Sequence, residues 1–441
     1  MTETITLPAV SLRVIAPAAV LAVTGFVLML LDLLPPRGRR EHLAFVGLAG
    51  VVVALVAAVL LWGSEATGFQ GMAVLDNLTL FATLVIGYST GLVLLLSIDY
   101  LKRRGMESGE YYILVLFAAT GMVIMAGAND LIVVFLGLET MSLALYVLAG
   151  FFRTRIEAGE ASMKYFLLGA FASGFFLYGI ALIYGATGST NLNKIGAAVT
   201  AGASRDPLLL IGFALLRLLL VSLRPLQGEW VWLFWVLAVL SMTLGNLVAI
   251  AQQNLKRMLA YSSIAHVGYM LVGVVAGGGL GDGSVLFYLL VYTFTTAGAF
   301  GVILLLERGG DEAVQIGDTA GLATRHPLAA LALAIFLLSL VGIPPTAGFV
   351  GKFYLFGAAV RSGYLWLAVI GVLNSAAAAY YYLRVIVSMY MREPEGTPAV
   401  IVPSFAGALA VVVALWGVIQ LGIFPAPLFD LAQSAVLPLL R

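Results

Sequence analysis

The sequence contains no cysteine. That excludes disulfides, and it excludes cysteine-ligated iron–sulfur clusters held by this chain. Histidine is nearly as scarce: His42, His266 and His326 are too few and too scattered for a haem or zinc site. Charge is the third shortage. Asp, Glu, Lys and Arg make up 10% of the chain, against about 25% in a soluble domain. The 23 Lys and Arg balance 22 Asp and Glu, so there is no basic field to attract nucleic acid. No soluble domain, nucleotide motif or phosphate loop is visible.

What the chain has instead is apolar sequence, 62% of its 441 residues. No globular core needs that much, so lipid is the solvent for most of it. The N-terminal stretch lacks a basic region and a small-residue cleavage site before its apolar run, and reads as mature protein. A spanning helix needs about 20 mostly apolar residues. Candidates run near 11–33, 42–63, 76–99, 110–127, 130–152 and 161–185. After a polar, Gly-containing loop they resume near 207–223, 230–251, 258–277, 284–306, 327–360, 363–390 and 400–424. The 327–360 run is too long for one plain helix and carries Pro344-Pro345, which predicts a broken helix. The tail, 425–441, is short and amphipathic and is expected at the membrane interface.

Basic residues in short loops set orientation. Arg37, Arg39 and Arg40, then Lys102 to Arg104, then Arg153 and Arg155 follow the first, third and fifth spans. This places the N-terminus outside. Lys256-Arg257, Arg308 with Arg325, and Arg384 with Arg392 agree among themselves. The two sets join only through an odd number of crossings between 185 and 256, yet two apolar runs lie there. Either 207–223 does not span, or the second half is inverted.

A charge at membrane depth costs at least about 2.5–3.5 kcal/mol and so faces a protein interior or an aqueous path. Glu139 lies in the middle of its apolar run, with Ser142 and Tyr146 on the same helical face. Its charge is set by burial and neighbouring cations, which suits a proton carrier; it could equally pair two helices. Lys352 follows the proline break, and broken helices at this depth line enclosed cavities. The bland alternative is a lysine snorkelling to the interface. Ser262, His266 and Tyr269 make a polar stripe, readable as a proton relay or as hydrogen-bonding groups between helices. Lys164, Lys256 and Arg257 are candidate path residues that read more readily as topology anchors. Thr293 and Thr296 read as packing hydroxyls. Arg217 sits near the centre of a 17-residue apolar run and cannot release its proton as lysine can. It could clamp Glu139, or mark a segment that never crosses; the second also restores the crossing count.

Four stretches carry a resemblance: GLETMSLALYVLAGF, EAGEASMKYFLLGAFASGFFLYGIALIYG, NLKRMLAYSSIAHVGYMLVG and VGIPPTAGFVGKFYLF. They resemble the antiporter-like subunits of NADH–quinone oxidoreductase, respiratory complex I. The histidine-bearing SSIAHVGY is more similar to subunit N than to subunits L or M or the multisubunit sodium/proton antiporters. The resemblance implies an all-α polytopic fold, with about 12–13 transmembrane helices here out of fourteen, built on two inverted repeats. It divides the chain into a three-helix segment (1–105), a truncated first repeat (106–225), a second repeat broken at 344–345 (226–395), and a C-terminal helix with its tail (396–441).

It also implies a proton path through Glu139, His266 and Lys352, with Lys164, Lys256, Tyr269 and Arg217 as further candidates. The activity would be proton translocation coupled to electron transfer from NADH to quinone. NADH, flavin mononucleotide, iron–sulfur clusters and quinone would reside in partner subunits of the membrane-embedded complex, with no cofactor or metal in this chain, in a bacterial inner membrane. One departure stands out. Between Leu216 and Arg217 the family pattern has a lysine-bearing half-helix, a proline-containing break and a second lysine helix, roughly 45 residues by helix length. Their absence would leave Glu139 without its cation, so the first repeat is expected to conduct protons poorly or not at all. A cation/proton antiporter and a non-conducting structural relic are the alternative readings.

Overall fold

In lipid every backbone N–H and C=O must be satisfied within the chain, so the apolar runs can only be helical here. The computed structural model describes residues 11–34, 40–106, 108–200, 227–309, 311–394 and 398–436. Its principal helices are α1 (Ala16–Asp32), α2 (Glu41–Leu60), α3 (Asn77–Arg103), α4 (Gly109–Ala126), α5 (Leu131–Ala149), α6 (Ile156–Thr187) and α7 (Leu192–Thr200). Then come α8 (Gln227–Ala251), α9 (Leu255–Ala276), α10 (Gly278–Leu304), α11 (Pro327–Val341), α12 (Ala347–Arg361), α13 (Leu365–Met391), α14 (Phe405–Ile423) and α15 (Ala426–Val436). Among the described residues ten helices are long and apolar enough to cross a membrane, α2–α6, α8–α10, α13 and α14; α1 and α11 are shorter apolar helices. The chain is a multi-pass membrane protein. The 207–223 run with Arg217, the Leu216–Arg217 junction, Arg37 and Arg39 lie outside the described residues.

Side chains stop the helices. Asp130 caps α5 by accepting from the Ile132 amide at 2.9 Å, and Asn254 caps α9 by accepting from the Arg257 amide at 3.0 Å. Ser404 does the same for α14 through Gly407 at 2.9 Å. Arg384 donates to the Gln252 carbonyl at 2.6 Å, beyond the end of α8, where a cation meets the negative end of the helix dipole.

The described chain forms two units. In the first, Met1–Leu94 with Glu107–Trp230, α4 packs on α1 and α5, α2 on α1, and α6 on α5. A hairpin of β1 (Ala66–Gly68) and β2 (Ala73–Leu75) closes one loop. The stretch after residue 185, expected to be loop, contains α7. Its Ile195 is buried with Leu131 and Ile183, and that apolar contact is what makes a short helix worthwhile there.

In the second unit, Leu95–Met106 with Val231–Arg441, α10 is the hub, touching α9, α11, α12, α14 and α15. Strands β3 (Leu306–Arg308), β4 (Asp311–Glu312) and β5 (Val400–Ile401) form a small antiparallel sheet in the order β4-β3-β5. The broken helix is present as α11 and α12. Gly342, at φ +90°, takes the left-handed conformation that ends α11, and Pro344-Pro345 prevents resumption before Thr346. The tail helix α15 packs one face on the unit, burying Phe429 and Ala432, with Phe429 stacked on Tyr354 at 3.8 Å between ring centres.

Candidate functional site

Breaking a helix frees the carbonyls of its last turn. At the end of α11 those of Leu340 and Val341 are taken up by Lys352, whose Nζ donates to each at 2.9 Å. The third ammonium hydrogen goes to Ser375 Oγ on α13, at 2.7 Å, and Ser375 in turn donates to the Val341 carbonyl at 2.8 Å. Lys352 reaches back onto α11 because Gly348 lets α12 lie against it. A Cβ at Gly348 would stand 1.8 Å from the Ser339 carbonyl oxygen. Lys352 is 4% exposed, so it does not snorkel to solvent within its own unit. A buried ammonium held by helix-end carbonyls has its charge compensated by the dipole rather than by a carboxylate. The ring of Tyr269 covers the remaining side, its centre 4.6 Å from Nζ.

His266, on α9, is 2% exposed. Its Nδ1 is 2.8 Å from Tyr288 Oη on α10, and its Nε2 is 3.2 Å from Tyr382 Oη on α13. Tyr382 also hydrogen-bonds Ser262 on α9. The imidazole is thus flanked by two hydroxyls that each donate or accept, so either tautomer can be satisfied. The stripe read on α9 is therefore brought to one interior place. Ser262 and His266 join the hydroxyl chain, while the Tyr269 hydroxyl hydrogen-bonds Asn246 on α8, 3.4 Å away, and Ser375 on α13, the residue that accepts from Lys352. Asn246 accepts from Tyr381 at 3.0 Å and donates to the Asn374 carbonyl at 3.0 Å.

Lys256 belongs to a separate cluster. It donates to Glu312 at 2.8 Å; Tyr100 donates to the other oxygen at 2.5 Å, and Arg104 stands 3.5 Å from that oxygen. Burial alone would push the Glu312 carboxyl up. The hydrogen bonds from Lys256 and Tyr100 and the charges of Lys256 and Arg104 outweigh it and hold the group below its ordinary value. Thr293 bonds the Leu289 carbonyl one turn back, an ordinary helix hydroxyl contact.

In the first unit Glu139, half-buried on α5, accepts a hydrogen bond from Ser173 on α6. Tyr146, on the same face, is buried, and its oxygen is packed so closely on α6 that a Cβ at Gly169 would sit 1.8 Å from it. Lys164 pairs with Glu160 on its own helix at 2.5 Å, with side chains 69% and 59% exposed. Around it, Met163, Leu167, Leu168 and Phe171 are exposed too. Among the described residues no group of three or more His, Asp or Glu side chains could hold a metal ion.

Sequence reading missed Ser375, Asn246, Asn374, Tyr288, Tyr381 and Tyr382. Asn246 and the Asn374-Ser375 pair each interrupt an apolar run, a signal that was there to be used. The tyrosines carried none, since aromatic residues are common throughout the chain.

The NADH:quinone oxidoreductase/Mrp antiporter transmembrane family matches residues 128–222 and 208–377, two stretches that overlap where Leu216 and Arg217 lie. NADH-quinone oxidoreductase subunit N of Trichlorobacter lovleyi is 45% identical over 473 residues, covering 97% of each chain. That span is longer than this chain: 97% of 441 residues is about 428, so about 45 positions of the relative have no residue here. A chain of respiratory complex I from Thermus thermophilus, solved with bound aureothin, is 33% identical with a TM-score of 0.75, covering 95% of this chain and 99% of that one. A chain of the Mrp complex from Dietzia shares the fold alone, at 22% identity and a TM-score of 0.78 over 97% of this chain and 98% of that one. Its sequence and its helical fold place this chain in the NADH:quinone oxidoreductase/Mrp antiporter transmembrane family, among the NADH-quinone oxidoreductase N subunits.

Proposed function

We propose that this chain works in the membrane arm of NADH-quinone oxidoreductase and carries protons there, driven by electron transfer in partner subunits that hold NADH, flavin, iron–sulfur clusters and quinone. The observation that carries the reading is Lys352: a buried ammonium on a broken helix, compensated by carbonyls instead of a carboxylate. A structural cation would be better served by a fixed counter-ion, whereas a group that must gain and lose a proton is better served by neutral acceptors. His266, between two hydroxyls, continues the titratable set. Higher identity to subunit N than to the Mrp chain favours the respiratory role over a free-standing cation/proton antiporter.

The positions absent relative to the Trichlorobacter lovleyi subunit fall, on this reading, between Leu216 and Arg217. The first repeat then lacks a cation for Glu139 and contributes little proton flux, while the second repeat conducts. The basic loops put the N-terminus on the outer side of a bacterial inner membrane.

Inverted vesicles containing the complex test this. With Lys352→Met, NADH-driven lumen acidification should be lost while NADH:ferricyanide activity, which needs only the upstream redox subunits, stays. Acidification equal to the unaltered complex would sink the proton-path reading.

A further inference from the structure

Lys352 and His266 stand at the two ends of one chain of side-chain hydrogen bonds. From the lysine it runs through Ser375 to the Tyr269 hydroxyl. From the histidine it runs through Tyr382 to Tyr381, with 3.2 Å between His266 Nε2 and Tyr382 Oη. The two halves meet at Asn246 on α8, which donates to Tyr269 at 3.4 Å and accepts from Tyr381 at 3.0 Å. Asn246, Tyr269, Tyr381 and Tyr382 are each at most 2% exposed, so water does not compete for these bonds within the unit.

All the side chains between the two ends are hydroxyls except Asn246. A hydroxyl takes a proton on a lone pair, releases its own, and is a hydroxyl again afterwards. An amide that takes a proton on its oxygen must release one from its nitrogen, and it ends as the unstable imidic acid. Nor is Asn246 free to turn round. Its Nδ2 also donates to the Asn374 backbone carbonyl at 3.0 Å, and a carbonyl only accepts. On the far side the direction is fixed as well: Ser375 gives its hydrogen to the Val341 carbonyl, so Tyr269 donates to Ser375 and receives from Asn246.

Resting on the proton-path reading above, with Lys352 and His266 in series, we propose that Asn246 is the insulating residue of that path: its fixed amide interrupts the hydroxyl chain between the two sites. Protons do not run along the chain while Asn246 holds the Asn374 carbonyl. Exchange requires that hold to break, by movement of α8 against α13. A pump needs such an interruption, because two sites joined by a standing relay let protons run back down the gradient.

The test uses the whole complex in proteoliposomes, comparing Asn246→Asp with Asn246→Leu. Two quantities are read: passive decay of an imposed pH gradient without NADH, and protons moved per NADH oxidised. A neutral carboxyl has nearly the shape of the amide. It accepts a proton from Tyr381 on one oxygen, releases another to Tyr269 from the other oxygen, and remains a carboxyl. Asn246→Asp should therefore speed passive decay about tenfold and lower the proton yield per NADH. Asn246→Leu has nothing to relay with and should leave passive decay within about twofold of the unaltered complex. Unchanged decay in Asn246→Asp overturns the proposal. Equal acceleration in both variants overturns it too, since loosened packing would then be the cause. Asn246→Ser, whose hydroxyl also relays, replaces the aspartate variant if that one does not assemble and is scored the same way. Lys352→Met separates the failures. Combined with Asn246→Asp it should abolish the extra decay, and a leak that persists contradicts the proposal; a complex that still pumps with Lys352→Met alone removes the proton path itself, whatever Asn246 does.

Discussion

Lys352 and Glu139 are both ionisable groups inside apolar helices, and their surroundings differ in kind. Lys352 is enclosed within its unit, with every donor matched and an aromatic ring over its open side. Glu139 is half-buried, bonded to Ser173, on a helix whose neighbour α6 exposes a long apolar face. The lysine site is closed by α9, α11, α12 and α13 from one unit. The glutamate site, by contrast, is drawn from α5 and α6 alone among the described residues. A proton site depends on what surrounds the titratable group as much as on the group.

The sharpest way to break this comparison is Lys352→Arg. Arginine keeps the charge and can keep the carbonyl contacts but does not release its proton. NADH-driven proton uptake by proteoliposomes should fall by about a hundredfold, the scale of a lost general acid–base group. Near-normal pumping would make Lys352 a structural cation. His266→Ala should cost less in flux, about tenfold, and should also destabilise. It strands the Tyr288 hydroxyl, at about 1–3 kcal/mol for a buried group left unsatisfied, while Tyr382 keeps Ser262. A thermal melt of the purified complex would detect the loss.

Glu312→Gln sharpens the comparison from the side of assembly. A carboxyl held below its ordinary value contributes stability that is present above the unfolded carboxylate range and fades as pH falls through the folded value. The difference in melting temperature between unaltered and Glu312→Gln protein should therefore be large at neutral pH and vanish in acid. A difference that grows on acidification would contradict the Lys256–Glu312 pairing.

If, as proposed, the first repeat contributes little flux, Glu139→Gln should change proton yield per NADH by less than about twofold; a loss matching Lys352→Arg would reverse the comparison. Smallest of all is Lys164→Gln. An exposed i,i+4 pair of this kind is worth about 0.3–0.5 kcal/mol, so both melting temperature and pumping should hardly move.

Glu139, Lys352 and His266 could be picked out in linear sequence because charge and imidazole are conspicuous among apolar neighbours. Pro344-Pro345 announced the break for an equally local reason, the missing amide donor. Tyr288 and Tyr382 could not be picked out the same way. Tyrosine is an ordinary residue of packed membrane helices, and no spacing within α10 or α13 says that these two meet α9. Tyr269 was singled out by its place in the stripe with His266, but its hydrogen bonds to Asn246 on α8 and to Ser375 on α13 depend on helices that the stripe does not name. The short helix α7 and the burial of α15 were missed for the same reason, since each is decided by an apolar partner distant in sequence.

By itself the sequence determined the solvent, the helical class, the broken helix and the identity of the titratable groups. Each of these follows from composition or from covalent chemistry that needs no partner. The tertiary structure decided which groups share a site, that the Lys352 ammonium is held by helix-end carbonyls, and that the Tyr269 ring packs against both Lys352 and His266. Those depend on which helix faces which, and in lipid that choice rests on close packing and interhelical hydrogen bonds, neither of which is written in the order of residues along one helix.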